Sequence, residues 1–281
     1  MLTPGSVGSI ALNRGKERCI QRDIFQLRTS YDTMILRRLS TFQQLVSEAE
    51  SAPIEGWGYS WRATETRPPW QYGRMVAERM ERARDALDVQ TGRGEILASV
   101  PRLAVRTVAT EARPENIVQA AKLLRPRGVA VVANHDASPL PFGDDTFDLV
   151  TSRHPAVTEW KEIARVLKPG GTFFSQQVDA MSVLDLFHDV VGQSHVRRRP
   201  LDVEAAAADV GLEVLDLRRE FVRTEFHDVA AVIYFLRRML SKVSAFSIDP
   251  YRTEFHELHE RIQRHGSFIA HTTRLLVEVR K

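Results

Sequence analysis

Asp88, Gly92, Gly94 and Glu111 are the residues whose types and spacing most readily do chemistry. The run Ala86-Leu87-Asp88-Val89-Gln90-Thr91-Gly92-Arg93-Gly94-Glu95 reads as a short apolar strand that ends in an acid and opens into a glycine-punctuated turn. Glycines at 92 and 94 accept positive φ and carry no Cβ, so a ligand can lie against the loop backbone. Glu95-Ile96-Leu97-Ala98 then starts a helix whose free N–H groups face that ligand, and Asp88 is placed to accept from an ammonium or hydroxyl group. Taken alone, a G-x-G fits a bare structural turn equally well. The second signal is Glu111, at the end of the strand-like run 104–110 and 23 residues beyond Asp88. An acid at that offset can hold a ribose diol by paired hydrogen bonds. The two positions together point to one adenosine-shaped ligand.

These residues need a sheet to hold them. The 281 residues, 43% hydrophobic and 27% charged, suit an ordinary globular protein with a sizeable core. One cysteine, Cys19, excludes an internal disulfide and a thiolate zinc cluster. No run of 18 apolar residues and no charged-then-apolar leader is seen, so a cytoplasmic address and no membrane partner are expected. A net charge of +3 is too small to argue by itself for a nucleic-acid partner.

Residues 1–16 lack periodicity and are expected to be disordered. Over 17–50, Ile20, Ile24, Leu27, Tyr31, Ile35, Leu39, Phe42 and Leu45 recur every three or four residues, an amphipathic helix or two. The aromatic, glycine-hinged stretch 55–62, with Trp57 and Trp61, reads either as an anchor for this extension or as a lid over substrate or cofactor. A helix over 72–84 leads into the first strand, so a helical extension occupies 17–84 and the main domain 85–281. Strands follow at 129–133, 147–152 and 172–178, the last after a helix over 159–167 closed by Lys168-Pro169-Gly170-Gly171. The tip Ser152-Arg153-His154-Pro155 then lies at the carboxyl edge of the sheet, where ligands bind in open α/β folds. Further helices are expected over 201–211, 229–240 and 251–264, a strand from 212, and a final strand over 267–279. Residues 222–227 either extend the strand from 212 or form a separate arm, and Arg197-Arg198-Arg199 reads as a solvated loop or a phosphate contact.

The segments "LDVQTGRGE", "ATEARPENI", "DASPLPFGDDTFDLV" and "EIARVLKPGGTFF", in this order, resemble the S-adenosylmethionine-dependent methyltransferases of the Rossmann-like class, type 11 in particular. The resemblance covers about 85–180 strongly and the remainder to 281 loosely. It implies an α/β fold: a seven-stranded, mostly parallel sheet with helices on both faces and one antiparallel strand inserted between the fifth and sixth. It implies S-adenosylmethionine as cofactor, with Gly92 and Gly94 approaching its methionine end beside Thr91, Asp88 supporting the loop or the amino group, and Glu111 holding the ribose. Ala112 would lie against adenine, Asp136 and the backbone of Ala137 would read its edge, and Ser152 would line the methionine end. Gln90 stands where the family usually has its first glycine, so it either contacts the cofactor or weakens its binding.

Methyl transfer is an in-line displacement, in which the protein aligns the acceptor, excludes water and, for some acceptors, removes a proton. His154, from the tip facing the methyl group, is the candidate base; a structural or substrate-binding histidine is the competing reading. Arg153, Trp57, Trp61 and His227 are candidate substrate contacts; His227, beside Asp228, is also a second candidate base, with a helix-cap role open for it. His256, His259 and His265 lie on a polar helical stretch, and no metal ligand pattern is completed. The favoured function is methyl transfer to a small molecule such as a secondary metabolite, by a monomer or homodimer. An RNA methyltransferase, for instance of ribosomal RNA, and a non-catalytic cofactor-binding regulator or partner subunit are the alternatives.

Overall fold

The computed structural model describes residues 41–53, 61–135, 138–179, 190, 202–240 and 247–281. The segment 1–40, Trp57 with most of the aromatic loop, Asp136, Ala137 and Arg197 to Arg199 lie outside the described residues.

In chain order the elements are α1 (Phe42–Ser51), β1 (Ala63–Glu65), α2 (Tyr72–Met80), β2 (Asp85–Asp88), α3 (Glu95–Ser99), β3 (Arg106–Glu111), α4 (Pro114–Leu124) and β4 (Ala130–Ala133). They continue as β5 (Phe147–Arg153), α5 (Trp160–Val166), β6 (Leu167–Val178), α6 (Val203–Ala208), β7 (Glu213–Phe226), α7 (Val229–Leu240), α8 (Arg252–His265) and β8 (Phe268–Arg280). The strands form one sheet in the order β1-β7-β8-β6-β5-β2-β3-β4. Strands β4, β3, β2, β5 and β6 are mutually parallel, and β8 runs antiparallel between β6 and β7. The chain steps outward from β2 to β3 to β4, then returns to place β5 on the other side of β2. Connections therefore leave in opposite directions at β2 and β5 and open a crevice at their carboxyl ends.

Strand alternation divides the core between the two faces. Ala86 and Phe174 join Met80, Leu97 and Leu124 beneath α2, α3 and α4. Leu87 and Phe173 join Val150, Ile163 and Val203 beneath α5 and α6. Each large apolar side chain buried this way contributes about 1.5–3 kcal/mol. A third cluster joins α1, α7 and α8 over the long arms of β7 and β8, with Phe42, Leu45, Val232, Leu236 and Phe255 at its centre. Thr41 starts α1 through a capping box: its hydroxyl accepts from Gln44 N at 3.3 Å, and Gln44 Oε1 accepts from Thr41 N at 2.9 Å.

Two features depart from the sequence reading in detail, and a third decides between alternatives it left open. The sheet has the seven strands expected and an eighth, the three-residue β1, which the N-terminal extension adds antiparallel to the edge of β7. Lys168-Pro169-Gly170-Gly171 lies inside β6 as a bulge, because the pairing passes from Phe147–Leu167 to Leu149–Thr172. Its backbone is satisfied by the C-terminus, with Gly170 N donating to Lys281 O at 2.8 Å and Lys281 N to Gly171 O at 3.0 Å. Residues 222–226 continue β7 without a break, paired to β8 down to Phe226–Phe268. Among the described residues no helix is long and apolar enough to cross a membrane.

Candidate active site

Asp88 ends β2 buried, and accepts from the Thr151 hydroxyl of β5 at 2.6 Å. Burial pushes its carboxyl up to about 6; the hydroxyls of Thr151 and Thr91 oppose the rise, and the nearby charge of Glu111 adds to it. The loop then turns through left-handed positions at Gln90 (φ 56°), Gly92 (φ 64°) and Gly94 (φ 83°). At Gly94 a Cβ would come within 2.9 Å of Leu124 Cδ1, so this glycine sets the close packing of the loop on α4 as well as its turn. Helix α3 starts immediately afterwards.

Glu111 ends β3, buried, and ties the two strand tips together. Its Oε2 accepts from Gly92 N at 2.7 Å, while Oε1 accepts from Arg113 N at 3.0 Å and Asn116 Nδ2 at 3.4 Å. A carboxylate accepts about four hydrogen bonds, so one place remains, and the long contact to Asn116 is the one a second hydroxyl donor would displace. Ala112 follows, half-buried at the strand's end.

Gln90 does something the sequence reading did not foresee. Its amide clamps the chain beyond β5: Nε2 donates to Val157 O at 2.8 Å, and Oε1 accepts from Ala156 N at 2.5 Å. Its backbone meanwhile holds the positive φ that a glycine would adopt at no steric cost, a conformation worth roughly 1–2 kcal/mol of strain for other residues. The side chain is thus engaged by protein backbone.

At the tip of β5, the Ser152 hydroxyl donates to Val89 O at 2.7 Å, and its carbonyl accepts from the Tyr72 hydroxyl at 2.9 Å. Burial raises the Tyr72 phenol well above its ordinary range, so it stays a donor. His154, buried and left-handed at φ 55°, belongs to a chain of three side chains. Trp70 Nε1 lies 2.7 Å from Gln176 Oε1, and Gln176 Nε2 lies 2.8 Å from His154 Nε2. An indole N–H only donates, so Gln176 must accept from it and present its NH2 to the imidazole. His154 Nε2 is then the acceptor, which assigns the neutral ring with its proton on Nδ1. In this arrangement Nε2 cannot take a proton from a substrate without Gln176 turning away.

Two clefts flank this tip. A smaller one, about 440 Å³ including the open solvent at its mouth, lies among Val89, Gln90, Asn134, His135, Ser152 and Val157. The larger, about 1890 Å³ including its open mouth, has Glu65, Trp70, Tyr72, Arg153, His154 and Gln176 among its walls. Asp88, Gln90, Thr91, Gly92, Gly94, Glu111 and Ser152 come together around the carboxyl ends of β2, β3 and β5. Arg153 and His154 face the larger cleft beside them.

Two other candidates sit elsewhere. Trp61 packs on Tyr234, with ring centroids 4.9 Å apart, partly buried at the edge of the α1–α7–α8 cluster. His227 bonds Thr64 Oγ1 through Nε2 at 3.0 Å, fastening β1 to the end of β7, and lines neither cleft; Asp228 is the residue that accepts from Ala231 N in the first turn of α7. Sequence reasoning missed Trp70, Gln176, Arg274 and Glu65. The signals were present: Gln176-Gln177 and Arg274 are polar interruptions in strands that otherwise read as buried.

Residues 87–175 match the family model described as a methyltransferase domain. Among solved structures, a methyltransferase candidate from Bacillus halodurans is 18% identical with TM-score 0.50, over 74% of this chain and 99% of that one. The YcgJ protein of Bacillus subtilis is 18% identical with TM-score 0.51, over 75% and 97%. A protein of unknown function from Deinococcus radiodurans is 16% identical with TM-score 0.51, over 79% and 92%. At these identities the likeness speaks for the fold. No curated protein matches the chain.

Proposed function

Residues 87–175 form a methyltransferase domain of the Rossmann-like, S-adenosylmethionine-dependent class, and from that premise we propose that the chain binds S-adenosylmethionine and methylates a small molecule in the larger cleft. The observation that carries this reading is the meeting of Asp88, the Gly92–Gly94 loop and Glu111 at one rim, directly beside a cleft walled by Trp70, Tyr72 and His154. The donor set suits the cofactor. Glu111 is buried and oriented by three donors with room for hydroxyls, and Asp88 is a buried acid raised to about 6, whose ionised form a cationic ligand would stabilise.

When bound, the cofactor supplies a methyl group already activated by a sulfonium leaving group. Glu111 accepts from the ribose hydroxyls. Asp88 compensates the positive charge beside the loop, and Ser152, fixed by Val89 O and Tyr72, shapes the wall between the two clefts. Ala112 belongs to the adenine side in this reading. His154 acts as a neutral imidazole whose orientation comes from Gln176 and Trp70, so it aligns the acceptor and serves as a base only if Gln176 turns.

The test is transfer of a labelled methyl group from S-adenosylmethionine in two mixtures, one of metabolites filtered below 1 kDa and one of ribosomal RNA. Label in filterable product supports the proposal. Label retained on RNA would move the function to nucleic acid, and cofactor binding with no transfer to either would favour a non-catalytic partner.

A further inference from the structure

The larger cleft carries a charge pattern that methyl transfer alone does not require. Among the described residues its walls include Arg67, Arg74, Arg153 and Arg274 against a single carboxylate, Glu65. Arg274, 3% exposed, is committed to that carboxylate, and its Nη1 donates to Thr272 Oγ1 at 2.8 Å. Burial raises the Glu65 carboxyl from its ordinary value against the charges of Arg274 and Arg153, and its ion-pair partner is Arg274, so two guanidinium groups share the field of one carboxylate. Arg74 turns to Glu78 at 3.1 Å on the outer face of α2. Among the described residues, Arg67 and Arg153 make no ion pair, and both line the cleft with their side chains exposed to it. Pro68, Pro69 and Tyr72 add apolar surface to the same walls.

We infer that the acceptor is a small oxyanion, with a carboxylate or phosphate gripped by Arg153 and Arg67 and an apolar body laid against Pro68, Pro69 and Tyr72 so that its reactive atom reaches His154. Guanidinium groups recognise carboxylate and phosphate in the same bidentate way, so the two anions share one chemistry here. The assignment deepens the methyltransferase reading and rests on it for the place of the reacting atom. The competing use of the same arginines is to hold the carboxylate of the cofactor's own amino-acid end.

The experiment titrates benzoate, phenyl phosphate and neutral benzyl alcohol by calorimetry into the full chain saturated with S-adenosylhomocysteine, which fills the cofactor's own carboxylate position. One anion site per chain is expected, with no binding of the alcohol. In Arg153→Gln and Arg67→Gln the anion should weaken at least about tenfold, while the affinity for S-adenosylhomocysteine stays within about twofold. The tighter of the two anions identifies carboxylate or phosphate. The inference is overturned if neither anion binds, if the alcohol binds equally well, or if the arginine variants lose S-adenosylhomocysteine affinity by the same factor. Should S-adenosylhomocysteine itself fail to bind, the methyltransferase reading falls. The anion titration repeated without it then still decides whether Arg67 and Arg153 form an anion site.

Discussion

Replacing Asp88 by asparagine tests whether this buried acid is raised and its ionised form stabilised by a cationic ligand. Its carboxyl rises from 3.8 to about 6, chiefly through burial. Between pH 4 and 6 the folded chain therefore keeps a proton that the unfolded chain has released, and stability falls as pH rises. A tenfold difference in proton affinity between the two states is worth about 1.4 kcal/mol, so the loss totals about 3 kcal/mol and is complete just above pH 6. Asparagine keeps an acceptor for the Thr151 hydroxyl and cannot ionise. Urea unfolding of wild type and Asp88→Asn at pH 4, 5, 6 and 7 should show the variant gaining about 3 kcal/mol on wild type across that range. Taking the difference removes groups common to both. Asp85 is one: Arg106 and Lys168 hold its carboxyl below the usual range, and its stabilisation is lost as pH falls. The same ionisation predicts that wild type binds S-adenosylmethionine about tenfold more tightly at pH 7 than at pH 5, with little change in the variant. Parallel stability curves for the two proteins would refute the reasoning.

Gly94→Ala should lower stability by at least about 2 kcal/mol in thermal unfolding, since it adds a Cβ against Leu124 at 2.9 Å to a φ of 83°. Gln90→Ala removes both bonds to the 156–157 backbone and keeps the strained φ, so a cost of about 1–3 kcal/mol is expected in urea unfolding; Gln90→Gly should recover about 1 kcal/mol of it. Nitrogen-15 NMR of the His154 ring should report the neutral Nδ1–H form, and Trp70→Phe, which releases the Gln176 carbonyl oxygen, should change that tautomer balance. An unaltered spectrum in that variant would remove Trp70 from the positioning of His154.

Much of the scaffold could be read from local pattern. The strands β2 and β3, the Gly92–Gly94 turn and the placing of Glu111 follow from short apolar runs that end in acids or glycines, and such signals lie within a few residues of one another. The insertion of β8 between β6 and β7 came from the family resemblance. What local pattern could not supply was contact across the chain. The Trp70–Gln176 bond joins residues 106 positions apart, and Gln90 finds its partners 66 and 67 positions on. No periodicity encodes such pairs. The three-residue β1 is too short to show alternation, and its partner β7 carries Arg218-Arg219-Glu220 where an uninterrupted apolar pattern would have marked a strand. Trp61 and His227 carry side chains suited to a binding site, but packing against Tyr234 and bonding to Thr64 decide their places.

The most direct test of the central claim is calorimetry of S-adenosylhomocysteine with wild type, Glu111→Gln and Glu111→Ala. One site per chain is predicted, weakened at least about tenfold in both variants while the chain stays folded by circular dichroism. Absence of binding to wild type, or equal affinity in all three proteins, would contradict it.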